Sequence, residues 1–541
     1  MLTGRRAFGA DAGYAATLAA IITQEPAPLR LAAPATPAAL DRIVSQCLRK
    51  DAAERYPSAA ELLEALDQCA HAPEASSRAP SAAPARSIAV LPFTNLGADP
   101  DSDYFSDGLA EEILNALAQV PGLRVVARAS AFAFRNRADA LAEIASKLRV
   151  GSVLQGSVRR AGGRLRVTAQ LVDVREATQL WSERYDREMA DVFAIQDEVA
   201  RAIVEKLKLH WQAPPEAPLV KAYTRNPEAH NLYLKGVYHG NRFTPADWAK
   251  ARELLQQAVA LEPGHAAAWA HLAEYQIHRA SGGELAPGEA MPQAADAARR
   301  ALAADAQLAD AHAGLAFVEA FYDHRWRDGL ERVEAASALP GTTWSRLWSA
   351  NVRWSNGQFE AAERTLLRAV ELDPLAFIGH FLLARFYNAR GAGEPALRYA
   401  TEAMSLVPNA GSFAMLGIAH GLLGDGPAAV HWLEQARQAA PFFPPAAHLA
   451  AAYVRAGRRA DAEQLMQAFE QGRRERYVAG TALAQCALAL DRPEQALGWL
   501  EQAADEHDLG FGFLPGARDF APLHAHPRYA QVMRRVGLPP S

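Results

Sequence analysis

Hydrophobic and polar positions change their period twice along the chain, and the change divides it. Ile88, Ala89, Val90 and Leu91 form a short apolar run that Pro92 stops, the pattern of a buried strand. Leu109, Ile113, Leu114 and Leu117 then recur at helical spacing, with Asp107 and Gly108 read as the turn that leads in. Residues 123–127 read as a strand, and Leu141, Ile144, Ala145 and Leu148 mark another helix. Residues 153–158 and 165–171 form two strands joined by a hairpin turn at 160–163, with 181–185 as a third partner. Phe193, Ile195, Val199 and Ile203 close the unit as an amphipathic helix. Strands and helices mixed in this way predict an α/β sandwich with one sheet. Pro-, Ala- and Ser-rich stretches at 71–87 and 212–225 read as linkers, leaving 88–211 as one domain.

From Asn226 the period is helical throughout. Pro263, Pro374, Pro408 and Pro441 mark a beat, the last three 34 and 33 residues apart. Ala251, Leu255 and Ala258 precede the first of these prolines, and Ala362, Leu366 and Ala369 the second. Ala396, Ala400 and Ala403 do so for the third, and Ala429, Leu433 and Ala436 for the fourth. Small residues there let two helices cross closely, and proline ends the second helix. The array, residues 226–508, resembles tetratricopeptide repeats, and residues 509–541 resemble the terminal cap of that family. The resemblance implies an all-α superhelix whose groove takes a protein or peptide. Candidate groove residues on the first helix of each unit are Asn231, His271, Tyr275, His380, Asn388 and His420. Tyr238, Trp354 and Tyr453 are expected to pack between helices instead.

Two further resemblances set the context. Residues 88–93, 104–109, 154–159 and 180–186 carry motifs similar to those of the TolB-like domain, which stands in its relatives behind kinases, adenylate cyclases or winged-helix regulators. It implies binding or assembly and no catalysis. Residues 1–70 resemble the last helices of a bacterial Ser/Thr kinase C-lobe, through Met1–Phe8, Asp41–Val44 and the closing motif from Cys47 to Ala59. The resemblance gives Arg55 a structural role, an ion pair with the glutamate of an A-P-E motif, and no such motif stands in front of it in the sequence. A charge at Arg55 buried without that partner would leave the segment loosely held. No G-x-G-x-x-G, H-R-D or D-F-G occurs in the 541 residues, so the chain as given is not expected to transfer phosphate. An alternative reading is the regulatory C-terminal part of a Ser/Thr kinase whose catalytic portion lies upstream. The effector half of a transcriptional regulator is disfavoured, because no basic helix-turn-helix precedes the α/β unit.

Charge and composition narrow the function classes. Net charge is −5 with no basic block, so no nucleic-acid footprint is visible. No apolar run of eighteen residues suggests a membrane span, which favours a cytoplasmic chain. Cys47, Cys69 and Cys486 are scattered, with no C-x-x-C, and predict neither a disulfide framework nor a zinc site. Asp101, Asp103, Asp107, Glu111 and Glu112 form an acidic cluster whose spacing is not that of a calcium loop. Helix capping is the preferred reading of it. Arg159, Arg160 and Arg164 flank the hairpin turn and are read as solvated. His524 and His526 are read as loop residues. The expectation is a multidomain binding scaffold (kinase C-lobe remnant, α/β TolB-like sandwich, tetratricopeptide superhelix) that needs no cofactor.

Overall fold

The computed structural model describes residues 87–539 apart from 98–102, 136–140, 162–163, 175, 177, 189–191, 208–223, 225, 242–244 and 340, with scattered residues between 43 and 63. The chain separates into two compact units, Met1–Ala83 and Pro84–Ser541. In the first, Ile43 is buried, and Ser58 Oγ accepts from the Glu61 amide at 3.2 Å, as at a helix start. Arg55 is exposed. The expectation of a buried charge there is corrected, since an exposed guanidinium keeps its hydration. The kinase-like stretch is otherwise described only at scattered positions, where Cys47 is a half-buried free cysteine, and Cys69 lies outside the described residues.

The second unit opens with the sheet. Its strands are β1 (Ser87–Val90), β2 (Thr94–Asn95), β3 (Arg124–Val125), β4 (Ser152–Ala161), β5 (Arg164–Asp173) and β6 (Thr178–Glu188). The order is β3-β1-β4-β5-β6, with β2 beside β4. β1 runs parallel to β3 and β4, whereas β4, β5 and β6 form an antiparallel meander. Along β5, Leu165, Val167, Ala169 and Leu171 alternate into the core, as period two requires. β6 buries only Tyr185 and leaves Glu183, Arg184 and Arg187 outward, a charged edge that resists pairing with another chain. Four helices cover the sheet: α1 (Asp103–Ala118), α2 (Arg128–Phe132), α3 (Leu141–Leu148) and α4 (Val192–Lys206).

The expected leading turn at Asp107 and Gly108 is corrected. Both lie inside α1 and are buried. Glycine is needed at 108 because a Cβ there would sit 2.6 to 2.9 Å from the Leu234 side chain. The glycine therefore marks a close approach between α1 and the first repeat.

The array follows as eight helical hairpins among the described residues. In chain order they pair α5 (Pro227–Gly240) with α6 (Pro245–Leu261), α7 (Ala266–Ser281) with α8 (Pro287–Ala304), and α9 (Ala309–Phe317) with α10 (Trp326–Ala335). Next come α11 (Thr343–Ser355) with α12 (Phe359–Leu372), α13 (Phe377–Ala389) with α14 (Gly393–Leu406), and α15 (Ala410–Leu422) with α16 (Gly426–Ala439). The last are α17 (His448–Arg455) with α18 (Arg459–Gly472), and α19 (Gly480–Ala489) with α20 (Pro493–Asp505). Successive first helices pack on one another (α7 on α9, α9 on α11, α13 on α15, α17 on α19), while successive second helices do not pack as closely. That asymmetry curves the array with the first helices inside. The consensus alanines Ala362, Ala369, Ala396, Ala400, Ala403 and Ala436 are essentially inaccessible, as the crossing requires.

The irregular stretch after 317 has a specific form. α9 ends in a π-helical turn, Val318–Tyr322, which swings Glu319 inward, and both of its carboxylate oxygens accept from Arg332 at 2.7 Å. A final helix, α21 (Pro527–Arg535), closes the chain, with the His526 side chain accepting the Arg528 amide at 3.3 Å.

Candidate partner-binding face

The α/β domain is seated on the array at two places. At the first, α1 lies on α5. The Tyr104 hydroxyl donates to Asn231, Lys235 Nζ sits 4.9 Å over the Tyr104 ring, and Leu234 fills the space above Gly108. Glu112 and His230 meet beside them at 3.7 Å. Burial pushes the Glu112 carboxyl up to about 8 and pulls the His230 imidazole down to about 3, so at neutral pH both are uncharged and the contact is not an ion pair.

At the second, the turn between α12 and α13 meets α2. Ser130 donates to Asp373 Oδ1 through both its amide (2.8 Å) and its hydroxyl (2.6 Å), while its Oγ accepts from the Leu375 amide at 2.7 Å. The Ala127 amide donates to the Leu372 carbonyl at 3.0 Å. Burial pushes the Asp373 carboxyl up, against the stabilising bonds from Ser130 and Thr343. Asp373 precedes one of the four beat-marking prolines, so the repeat's own turn supplies the docking contact.

The acidic cluster of α1 is part of this seating. Asp103 accepts from Asn95 Nδ2 at 2.9 Å near the helix start. Asp107 is held by Arg135 and, at 3.9 Å, by Arg128, which also donates to Glu111 at 2.7 Å. Capping is therefore corrected at Asp107: its partners are arginines beyond β3, because it faces the core rather than the helix start. Among the described residues no group of three metal-ligating side chains is arranged to hold an ion. At the hairpin turn the arginines are engaged: Arg164 pairs with Asp186 at 3.1 Å, Arg160 reaches the Tyr104 hydroxyl at 3.3 Å, and Arg159 the Leu96 carbonyl at 3.4 Å.

Between the two seats, the inner helices α7 and α9 present a polar surface toward α1. His271 Nδ1 lies 3.1 Å from Glu274, and His278 lies 3.5 Å from the other carboxylate oxygen. Burial alone would raise the Glu274 carboxyl; the two imidazoles outweigh it and hold it at about 2. Burial likewise opposes protonation of His271, but Glu274, Glu111 and Asp310 raise it. Asp310 also accepts from the Thr342 hydroxyl, linking the third and fourth hairpins. The Tyr233 ring packs between His265 and His271, 4.6 and 6.0 Å away.

The six residues expected to line the groove separate. Asn231 is bonded to Tyr104 at the first seat, and His271 stands on the polar inner surface with Tyr275 buried behind it. His380 and Asn388 are turned into the packing: His380 bonds the Pro374 carbonyl at 2.8 Å, and Asn388 donates to the Met415 carbonyl at 3.0 Å. His420 pairs with Asp425 at 3.2 Å near the end of α15. Trp354 and Tyr453 are buried between helices. Glu274 and Asp310 escaped notice in the sequence, although Glu274 follows His271 by three residues, on the same helical face.

Later along the array the inner face is filled by the chain itself. The segment after α20 crosses back to the third, fourth and fifth hairpins. The Trp354 indole donates to the Pro515 carbonyl at 3.1 Å, His507 bonds the Tyr322 carbonyl at 2.7 Å, and the Trp326 indole donates to Val536 at 2.6 Å. Phe513 packs edge-on to Trp354 and against Phe321, and the Arg385 guanidinium lies 3.5 Å from its ring centre. Burial pulls Arg385 down to about 10. Gly512 has no room for a side chain, since a Cβ would strike the Phe321 ring. What resembled a terminal cap thus occupies part of the inner face.

Comparison with known proteins bears on single segments. Residues 84–202 match the family described as HilA/YgeH-like transcriptional regulator, second domain. A Rhizobium meliloti (strain 1021) protein named as an adenylate cyclase is 39% identical over 207 residues, 38% of this chain and 35% of that protein. The chain thus spans about a third of the length of this curated relative. Among solved structures, the type IV pilus biogenesis factor PilW is 18% identical and matches 41% of this chain and 97% of its own, with a TM-score of 0.31. YrrB, titled a TPR protein with an unusual peptide-binding site, is 19% identical over 36% of this chain and 96% of its own, at 0.24. Yeast Tom70 is 15% identical over 58% and 68%, at 0.34. At scores this low the likeness adds nothing to what the helices of this chain show.

Proposed function

We propose that the chain is a binding scaffold without chemistry of its own, in which the α/β domain and the tetratricopeptide-like array together receive an extended protein segment. The polar surface of α7 and α9 beside α1 is the place proposed for it. One observation carries this reading: the inner face is occupied by residues 507–516 along the middle hairpins, whereas around His271, Glu274 and Asp310 it retains water access and offers donors and acceptors. An extended segment presents unpaired amides and carbonyls that such a surface can satisfy.

The α/β unit is proposed to be a TolB-like module. The residues that carry that resemblance fall on β1 and its exit, on α1, on β4 and on β6, where they build the sheet and the seat of the array. Its likeness to a domain of a transcriptional regulator and the relative's cyclase name support a module coupled to different outputs in different proteins. The array would then be the receiving element and the two seats the path to the sheet.

The test is a selection of random peptides on the full chain, with affinities measured for the selected sequences. His271→Ala and Glu274→Gln should each weaken binding about tenfold, and His420→Ala should leave it unchanged. Selected peptides that ignore both inner-face substitutions would refute the placement.

A further inference from the structure

A second recess lies away from the polar inner surface, and its lining points to a different class of ligand. α10 has 10 residues where the second helices α12, α14, α16 and α18 each have 14. The absent turn of helix, about 5 Å of backbone, leaves space that the neighbouring hairpin does not fill. The space is a cavity of about 430 Å³ between the third and fourth hairpins.

Its lining combines two characters. Ala309, Ala313, Val333 and Leu339 supply an apolar side. The lining also holds four arginines: Arg346 and Arg353, seven residues apart on α11, and Arg364 and Arg368, four apart on α12. Each spacing keeps the pair on one helical face, so the guanidinium groups converge on the same space. None of the lining residues is acidic. Arg368 has Glu371 at 2.6 Å, and Arg346 is tied to the Thr342 carbonyl at 3.0 Å. Arg353 and Arg364 make no ion pair among the described residues; Arg353 feels the attraction of Glu334 and the repulsion of Arg364, and Arg346 the attraction of Asp310. The hydroxyls of Ser337 and Ser349 also line the space without a side-chain hydrogen bond among the described residues. Glu371, Glu334 and Asp310 offset part of this charge from outside the lining, and an anion bound in the space itself would meet the guanidinium groups directly.

We infer that this cavity is a binding site for a small phosphate ester, its phosphate held by Arg353, Arg364 and their neighbours and its organic body laid against Ala309, Ala313, Val333 and Leu339. Guanidinium forks match phosphate oxygens in pairs, and a doubly charged group suits four cations better than a single carboxylate does. The volume is that of a small-molecule site. The inference does not depend on the peptide surface, from which it differs in both residues and ligand class.

The experiment is isothermal titration of the full chain with phenyl phosphate, inorganic pyrophosphate and acetate at constant ionic strength, which keeps general screening equal. Phenyl phosphate should bind saturably at one site, more tightly than pyrophosphate because the apolar wall contributes, and acetate should not compete. Arg353→Ala and Arg364→Ala should each lower the affinity at least tenfold. Arg364 is exposed, so its loss should leave folding intact, which circular dichroism checks. Arg327→Ala, a highly exposed arginine on α10, should change nothing. Absence of saturable phenyl phosphate binding overturns the inference. So does binding that survives both arginine substitutions, or equal binding of acetate.

Discussion

Ser130 and Asp373 illustrate how much a single pair can hold. One carboxylate oxygen accepts two bonds from Ser130, and the same serine oxygen accepts the Leu375 amide, so removing the hydroxyl unsettles two partners together. Ser130→Ala should destabilise the Pro84–Ser541 unit by about 2 kcal/mol, the range of buried bonds to a charged acceptor, as read by urea unfolding. Glu112 gives a pH dependence. Its carboxyl titrates near 4.5 when unfolded and is pushed up to about 8 when folded, so the folded state keeps a proton the unfolded chain has released. The contribution is fully present below pH 4.5 and disappears as pH rises toward 8. The stability of Glu112→Gln should therefore fall less than that of the parent between about pH 4.5 and 8, since a neutral amide has no proton to lose. Parallel stability curves for the two proteins would show that Glu112 is not held protonated. Neither pair was legible in the sequence. Ser130 and Asp373 are 243 residues apart, and Glu112 stood in an acidic cluster that reads as helix capping.

Elements were more legible than contacts. Period two along β5 and the alanine spacing before each beat-marking proline describe local geometry, which neighbouring residues determine, and those strands and helices are present. The error at Asp107 and Gly108 shows the limit. Aspartate followed by glycine ordinarily breaks a helix, but here Leu234 of a distant hairpin demands the glycine and Arg135 demands the aspartate. The π-helical turn at Val318–Tyr322 has the same kind of origin, since Glu319 turns inward only because Arg332 waits for it. The segment Leu509–Phe513 belongs to this scale as well. Phe513→Ala should cost about 2 kcal/mol, less than a fully enclosed phenylalanine, because its ring is half-buried among Phe321, Trp354 and Arg385. Thermal unfolding of the variant checks this. An unchanged midpoint would mean that the segment is not seated on the inner face.

Across the whole Pro84–Ser541 unit, closure of the array on its own C-terminal segment and seating of the α/β domain act together. The first confines the accessible inner face to the early hairpins, and the second places α1 beside that face. On the proposed reading, binding at α7 or α9 has two packed connections to the sheet, through α5 to α1 and through the Asp373 turn to α2. Both routes are lost if the sheet domain swings free, and the confinement of the inner face is lost if the C-terminal segment is loose. Amide hydrogen exchange on the full chain tests both conditions at once. Ala127, Ser130 and Leu375, whose amides cross the junction, and residues 509–513 should exchange as slowly as the helices of the middle hairpins, through shared opening. Exchange of the junction amides or of residues 509–513 at the rate of exposed loops would contradict the account.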